Sequence, residues 1–197
     1  LMAPHTTKVY PRGEALIEVD VLHDLITQGN DKLVVLQATP IWPYLRHHIP
    51  VSRQAWRPEL ESRAFERWAR SQGINNDSQV VVVDTHYDAT YLWWALHHHG
   101  KTDVRVLNGG LQAWRSAGLA IKRGPTGQPR RPGTFIARGG LGFGIAGTQL
   151  VRSAESSAGL RIWDTREPEE WSGAKRKWGA KRAGRIPWGT FLSWKAF

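Results

Sequence analysis

Two runs of uninterrupted apolar residues, Leu33-Val34-Val35-Leu36 and Val80-Val81-Val82-Val83, are each bounded by polar residues. A strand buried on both faces of a parallel sheet has this pattern, whereas a strand with one wet face alternates. Val104-Arg105-Val106-Leu107 reads as a further strand, and Ala15–Val19 has short strand character. Between these runs the apolar spacing turns helical. A helix is expected over Val21–Gln28, capped by Asp20 and stopped by Gly29-Asn30-Asp31. Glu61–Gln72 carries Phe65, Trp68 and Ala69 on one face and ends at Gly73. Ala89–His99 is apolar nearly all round, through Tyr91, Leu92, Trp93, Trp94 and Leu96, which predicts a well-buried helix before Gly100. Asn108-Gly109-Gly110 reads as a turn into a short helix, Leu111–Ala117, closed by Gly118. Pro40, Pro43 and Pro50 predict irregular chain between the first strand and the next helix. Strands alternating with helices in this way predict a parallel α/β sheet.

From Arg123 to Gly147 the chain is rich in Gly and Pro and reads as a linker laid over the surface. The opening pattern then restarts. Gln149–Ser156 suits a helix, Leu160-Arg161-Ile162-Trp163 a strand, and Asp164-Thr165-Arg166-Glu167-Pro168-Glu169-Glu170-Trp171 a strand exit running into a short helix. Gly184-Arg185-Ile186-Pro187 parallels His48-Ile49-Pro50 of the first half. This is an internal repeat. The second copy is expected to break off at Phe197, before its central strand, loop and last helices. The expected organisation is a domain over 1–122, a linker over 123–147 and the N-terminal part of a second copy over 148–197.

Composition narrows the chemistry. The 197 residues contain no cysteine, which excludes disulfides, thiolate catalysis and zinc–thiolate sites. No apolar run approaches the ~20 residues of a membrane span, and no signal-peptide core is visible at the start. These absences favour a cytoplasmic or mitochondrial-matrix protein and set membranes aside as partners. The net charge of +10 attracts anions. Much of it lies in Lys175, Arg176, Lys177, Lys181, Arg182, Arg185 and Lys195, interleaved with Trp171, Trp178, Trp188 and Trp194. Such a mixture suits nucleic acid, or else a solvated basic loop beside an anionic substrate. With no nucleic-acid motif to accompany the charge, nucleic acid stands last among the readings.

The strand Val80–Val83, the loop Asp84-Thr85-His86-Tyr87-Asp88 and the helix start Ala89-Thr90 form the kind of junction that holds an anion or a nucleophile over backbone N–H groups. In the first half, Tyr44-Leu45-Arg46-His47-His48-Ile49-Pro50, Val80-Val81-Val82-Val83-Asp84 and Val104-Arg105-Val106-Leu107-Asn108-Gly109-Gly110-Leu111-Gln112-Ala113-Trp114 resemble the rhodanese sulfurtransferase family in its tandem form. In the second half, Asp164–Trp171 and Gly184–Pro187 carry the resemblance. It implies a five-stranded parallel sheet with helices on both faces in each domain. It also implies transfer of a sulfane sulfur from thiosulfate or 3-mercaptopyruvate to a thiol or cyanide. The family does this through a cysteine persulfide in a Cys-x-x-Gly-x-Arg loop, whose amides and helix dipole lower the thiol pKa. Mapped onto this chain, Asp84 takes the cysteine place, Tyr87 the glycine place and Ala89 the arginine place. A carboxylate there repels a thiosulfate dianion. Tandem relatives commonly keep the working cysteine in the second domain, so this chain is expected to be inactive as it stands.

Each sharper reading has a plainer rival. Asp84 as nucleophile or base lacks any hydrolase or phosphotransfer set around it, so a structural or interdomain role is expected, and His86 reads as a surface histidine. His47-His48 and His97-His98-His99 lack the i,i+4 spacing of a helical metal pair, and no metal is expected. Gly142-Phe143-Gly144-Ile145-Ala146-Gly147 spells a dinucleotide fingerprint with Asp164 at a suitable distance. No firm strand directly precedes it, so it reads as linker, and no cofactor is expected. Asp164 and Arg166 are expected to orient each other as scaffold, with Arg176, Arg182 and Arg185 as candidates for the side of an anionic sulfur donor. The rival functional class is a non-catalytic rhodanese-like module that binds a protein partner or a small anion, and a second chain that completes the second copy is a further candidate partner.

Overall fold

The computed structural model describes residues 13–85, 88–126, 129, 131–138, 144, 147–155 and 161–196. It divides into two compact units, Leu1–Gly144 and Ile145–Phe197.

The first unit is a five-stranded parallel sheet. Its strands are β1 (Leu16–Ile17), β2 (Leu33–Ala38), β3 (Arg53–Ala55), β4 (Gln79–Asp84) and β5 (Val104–Leu107). Their spatial order is β1-β5-β4-β2-β3, all neighbours parallel, with Val34 opposite Val80 and Val80 opposite Val104. The helices are α1 (Val19–Thr27), α2 (Ile41–Arg46), α3 (Ser62–Ser71), α4 (Ala89–His98) and α5 (Gly110–Ser116). The apolar runs explain the layering. Val80 and Val82 face one core with Phe65 and Ala69 of α3 and Leu92 and Leu96 of α4. Val81 and Val83 face the other, with Leu22 of α1 and Leu111 and Trp114 of α5. Successive side chains of a strand point to opposite faces, so a continuous valine run feeds both layers at once.

Three local expectations are corrected. The helix expected from Val21 begins at Val19 with Glu18 at its N-cap, and the Asp20 carboxylate, inside the first turn, accepts from the neighbouring Val21 N–H at 2.8 Å. The chain between Pro40 and Pro50 is not wholly irregular, because Ile41–Arg46 forms α2. Pro40 is its N-cap and Pro43 lies in its first turn, where the missing amide proton has no helical partner to lose. The segment after Arg123 does more than cross the surface. Phe135 is fully buried in the core of α3 and α4, edge-on to Phe65 at 6.4 Å. Its backbone is held by Ile74 and by the Arg70 side chain, while Asn75, Asn76 and Glu66 accept from the N–H groups of Thr134, Ile136 and Ala137.

In the second unit, α6 (Gly147–Glu155) is followed by β6 (Trp163–Asp164), α7 (Pro168–Ser172) and β7 (Thr190–Phe191). β6 and β7 pair in parallel, Trp163 opposite Thr190 and Asp164 opposite Phe191. The opening residues 1–12, the loop residues His86 and Tyr87, and Gly142, Phe143, Ile145 and Ala146 of the fingerprint lie outside the described residues. So do residues 156–160 at the end of the expected Gln149–Ser156 helix and the start of the expected strand. Among the described residues no helix is long and apolar enough to cross a membrane.

Candidate functional site

β4 delivers Asp84 to the carboxyl end of the sheet, where α4 begins five residues on. The orphan N–H groups of a helix start make this a place for negative charge. Here the charge is the chain's own. Asp84 Oδ1 accepts from the backbone N–H of Asp88 at 3.0 Å and of Ala89 at 3.4 Å. Asp88 is the N-cap residue of α4, yet its side chain makes no cap bond. Asp84 caps the helix from across the loop instead.

The loop is braced on several sides. Thr85 Oγ1 donates to Ala38 O at the end of β2, at 3.3 Å. The Asp88 carboxylate, only 13% exposed, pairs with the Arg57 guanidinium at 3.1 Å. Arg57 lies over the Trp56 ring at 4.9 Å and holds φ at +39°, a conformation unusual for a residue with a Cβ. Tyr91 Oη donates to Pro58 O at 3.3 Å, so the chain after β3 is bound twice to the α4 end of the loop. Gly110, at the start of α5, closes the site from the other side. A Cβ placed there would stand 2.6 Å from Asp84 O, so only glycine lets α5 approach the end of β4. Sequence reasoning singled out neither Arg57 nor Gly110 for these contacts, because both act across chain distance. The Asn-Gly-Gly turn was the one local signal.

Beside the loop lies an open cleft of about 970 Å³, lined among others by Arg46, His47, Asp84, Asn108, Gln112 and Arg115. His47 faces this cleft, whereas His48 is fully buried. The His48 ring stacks on Tyr44 at 4.2 Å, its Nδ1 lies 2.9 Å from Tyr44 O, and its Nε2 lies 2.9 Å from Thr126 Oγ1. Burial lowers the His48 pKa. Phe65 covers the ring of His99 at 4.0 Å, and burial lowers that pKa too. Among the described residues no three His, Asp or Glu side chains are grouped to hold a metal ion.

In the second unit Arg166 grips Asp164 with two bonds, Nε to Oδ1 at 2.8 Å and Nη2 to Oδ2 at 2.6 Å. The same Nη2 donates to Gly184 O at 2.9 Å, which fastens the Gly184–Pro187 segment to the end of β6. The Arg166 guanidinium holds the Asp164 carboxyl below the usual range. Arg185 is exposed and stacks its guanidinium over Trp171 at 4.7 Å. Arg176 and Arg182 are exposed, and Arg176 Nη1 donates to Ala180 O at 3.0 Å. Of the expected loop set, the fold brings Asp84, Thr85, Asp88 and Ala89 together, leaves Thr90 exposed on α4, and does not describe His86 or Tyr87.

These features agree with comparisons to known proteins. SseB of Mycobacterium tuberculosis, assigned as a thiosulfate sulfurtransferase, is 28% identical over 204 residues, covering 89% of this chain and 69% of that protein. A Pseudomonas aeruginosa protein assigned as a 3-mercaptopyruvate sulfurtransferase is 36% identical over 104 residues, covering 51% of this chain and 36% of its own length. The crystal structure of the 3-mercaptopyruvate sulfurtransferase SseA from Escherichia coli superposes with a TM-score of 0.75 at 22% identity. That superposition covers 92% of this chain and 75% of SseA, and it shows a shared fold. The sequence model of the rhodanese-like domain matches residues 18–117, which include every strand of the sheet but the short β1. This chain belongs to the rhodanese-like domain family.

Proposed function

We propose that this is a chain of a rhodanese-type sulfurtransferase whose first domain is a non-catalytic member of the pair. The observation that carries the reading is the Asp84 carboxylate, seated on the Asp88 and Ala89 amides where the family places a cysteine. Sulfur transfer needs a thiolate that attacks the outer sulfur of thiosulfate, breaks the sulfur–sulfur bond, releases sulfite and keeps the sulfur as a persulfide. A carboxylate oxygen forms no persulfide, and its charge opposes the approach of the donor dianion. The named sulfurtransferases among the relatives support thiosulfate or 3-mercaptopyruvate as the donor class; the acceptor in this reading is a thiol or cyanide.

In this reading residues 1–122 form the degenerate domain, 123–147 connect it, and 148–197 supply the opening elements of a second rhodanese-like copy. The parallel β6–β7 pair and the Asp164–Arg166 clamp on Gly184 support the last assignment. Asp164 and Arg166 then serve as scaffold, while Arg176, Arg182 and Arg185 stand on the side of the anionic donor. The cysteine comes from a longer chain or from a protein partner.

The test is incubation of the 197-residue chain with thiosulfate and cyanide. Neither sulfite nor thiocyanate is expected, and no cyanolysable sulfur on the protein. Release of sulfite would overturn the proposal. Donor turnover on adding a longer native form with a Cys-x-x-Gly-x-Arg loop would support it.

A further inference from the structure

We propose that the turn Lys177–Ala180, with its flanking cations, is a binding surface for single-stranded nucleic acid. The proposal is independent of sulfur transfer. The sequence reading set nucleic acid last because charge alone does not specify it. What the structure adds is the presentation of one aromatic ring. Trp178 is 99% exposed, more than Trp42 at 74% or Trp163 at 55%, while Trp114 is buried in one core and Trp93 and Trp94 pack against the other. It stands at the tip of a built turn. Ala180 N–H donates to Lys177 O at 3.0 Å, and Gly179 takes φ +86°. Arg176 Nη1 caps the far side by donating to Ala180 O, and Lys175 N–H anchors the base to Glu169 O of α7 at 2.9 Å.

At 99% exposure, the cost of holding the Trp178 indole in water is not offset by burial against the described residues. Around it Lys175, Lys177, Lys181 and Arg182 are also exposed, and no acidic residue occurs between Gly173 and Arg185. A single strand supplies both complements, a phosphate for each cation and an unstacked base for the ring. A membrane surface fits less well. Interfacial anchors bury several apolar side chains, and between Gly173 and Arg185 the other apolar residues are Ala174, Ala180 and Ala183. Duplex DNA fits less well too, because its bases are already stacked.

The experiment is fluorescence anisotropy of labelled 20-nucleotide oligo(dT) and oligo(U) with the full chain, at 50 and 200 mM salt. Binding that weakens with salt is expected. Replacing Lys175, Lys177 and Lys181 together by Gln should reduce the log–log salt slope by about 2, since each neutralised phosphate of a single strand contributes ~0.7. Trp178→Ala should weaken binding about tenfold or more, and Trp178→Phe should retain most of it. A side chain this exposed can be changed without unfolding the unit. No binding at 50 mM salt would overturn the proposal. So would loss on the lysine changes with none on Trp178→Ala, which is unspecific polyanion attraction. Phosphatidylserine vesicles that compete equally for the chain would overturn it as well.

Discussion

Asp84 and Ala89 are joined across the loop, with the carboxylate Oδ1 of one accepting from the backbone N–H of the other at 3.4 Å and from Asp88 N–H at 3.0 Å. The side chain is therefore a remote helix cap. Asp84→Ala should lower stability by about 1–2 kcal/mol, as cap removal does, and Asp84→Asn should cost less because its amide oxygen still accepts. Urea unfolding of the three proteins checks this. Equal stability of Asp84→Ala and the parent would show that the cap carries no weight.

Phe135 ties the segment after Arg123 into the first unit. Phe135→Ala should cost about 3–5 kcal/mol, the usual range for a fully buried ring. A change below ~1 kcal/mol would mean that this segment rests on the unit without stabilising it.

Acid should weaken the first unit through its buried and half-buried histidines. Burial lowers the pKa of His48, His97 and His99 in the folded protein. As pH falls below about 6.5, the unfolded chain takes up protons that the folded chain still refuses. The unfolded state then binds more protons, so stability declines from about pH 6.5 downward and levels off below the depressed folded values. Urea midpoints at pH 8, 7, 6 and 5 should follow that slope, and His99→Leu should flatten part of it. A midpoint constant from pH 8 to 5 would contradict the burial of these rings.

Arg57 should prove a strained brace. Arg57→Gly relieves the +39° backbone but removes the ion pair to Asp88, so the two effects oppose each other. Arg57→Ala keeps the strain and loses the pair. It should be the less stable of the two variants, by ~1 kcal/mol, in thermal unfolding. The reverse order would show that the backbone at this position carries no strain.

The clamp on Gly184 gives a local readout. The Asp164 carboxyl is held low by Arg166, so its contribution is present above about pH 4 and is lost as pH falls through the lower folded value. Asp164→Asn should free Arg166 from its two-pronged grip and speed amide exchange at Arg185 and Ile186, with the first unit unchanged. Unaltered exchange there would show that the clamp does not hold the segment.

How much was legible in advance follows from the range of each interaction. The valine runs, the helical spacings and the Gly stops are local, so the sequence alone determined the parallel α/β sheet and the order of its elements. The absence of cysteine likewise excluded a thiolate without any structure. Only the tertiary structure decided what Asp84 does, because its partners are amides presented by a helix start, and no residue spacing states where a carboxylate turns. The burial of Phe135 arose the same way, since a Gly- and Pro-rich stretch hides the one side chain that a distant pocket selects. Arg57 and Gly110 acquired their meaning when the ends of β3 and β4 and the start of α5 were brought together at the carboxyl end of the sheet. Periodicity encodes which face of an element is buried; packing encodes which residues, far apart in the chain, then meet.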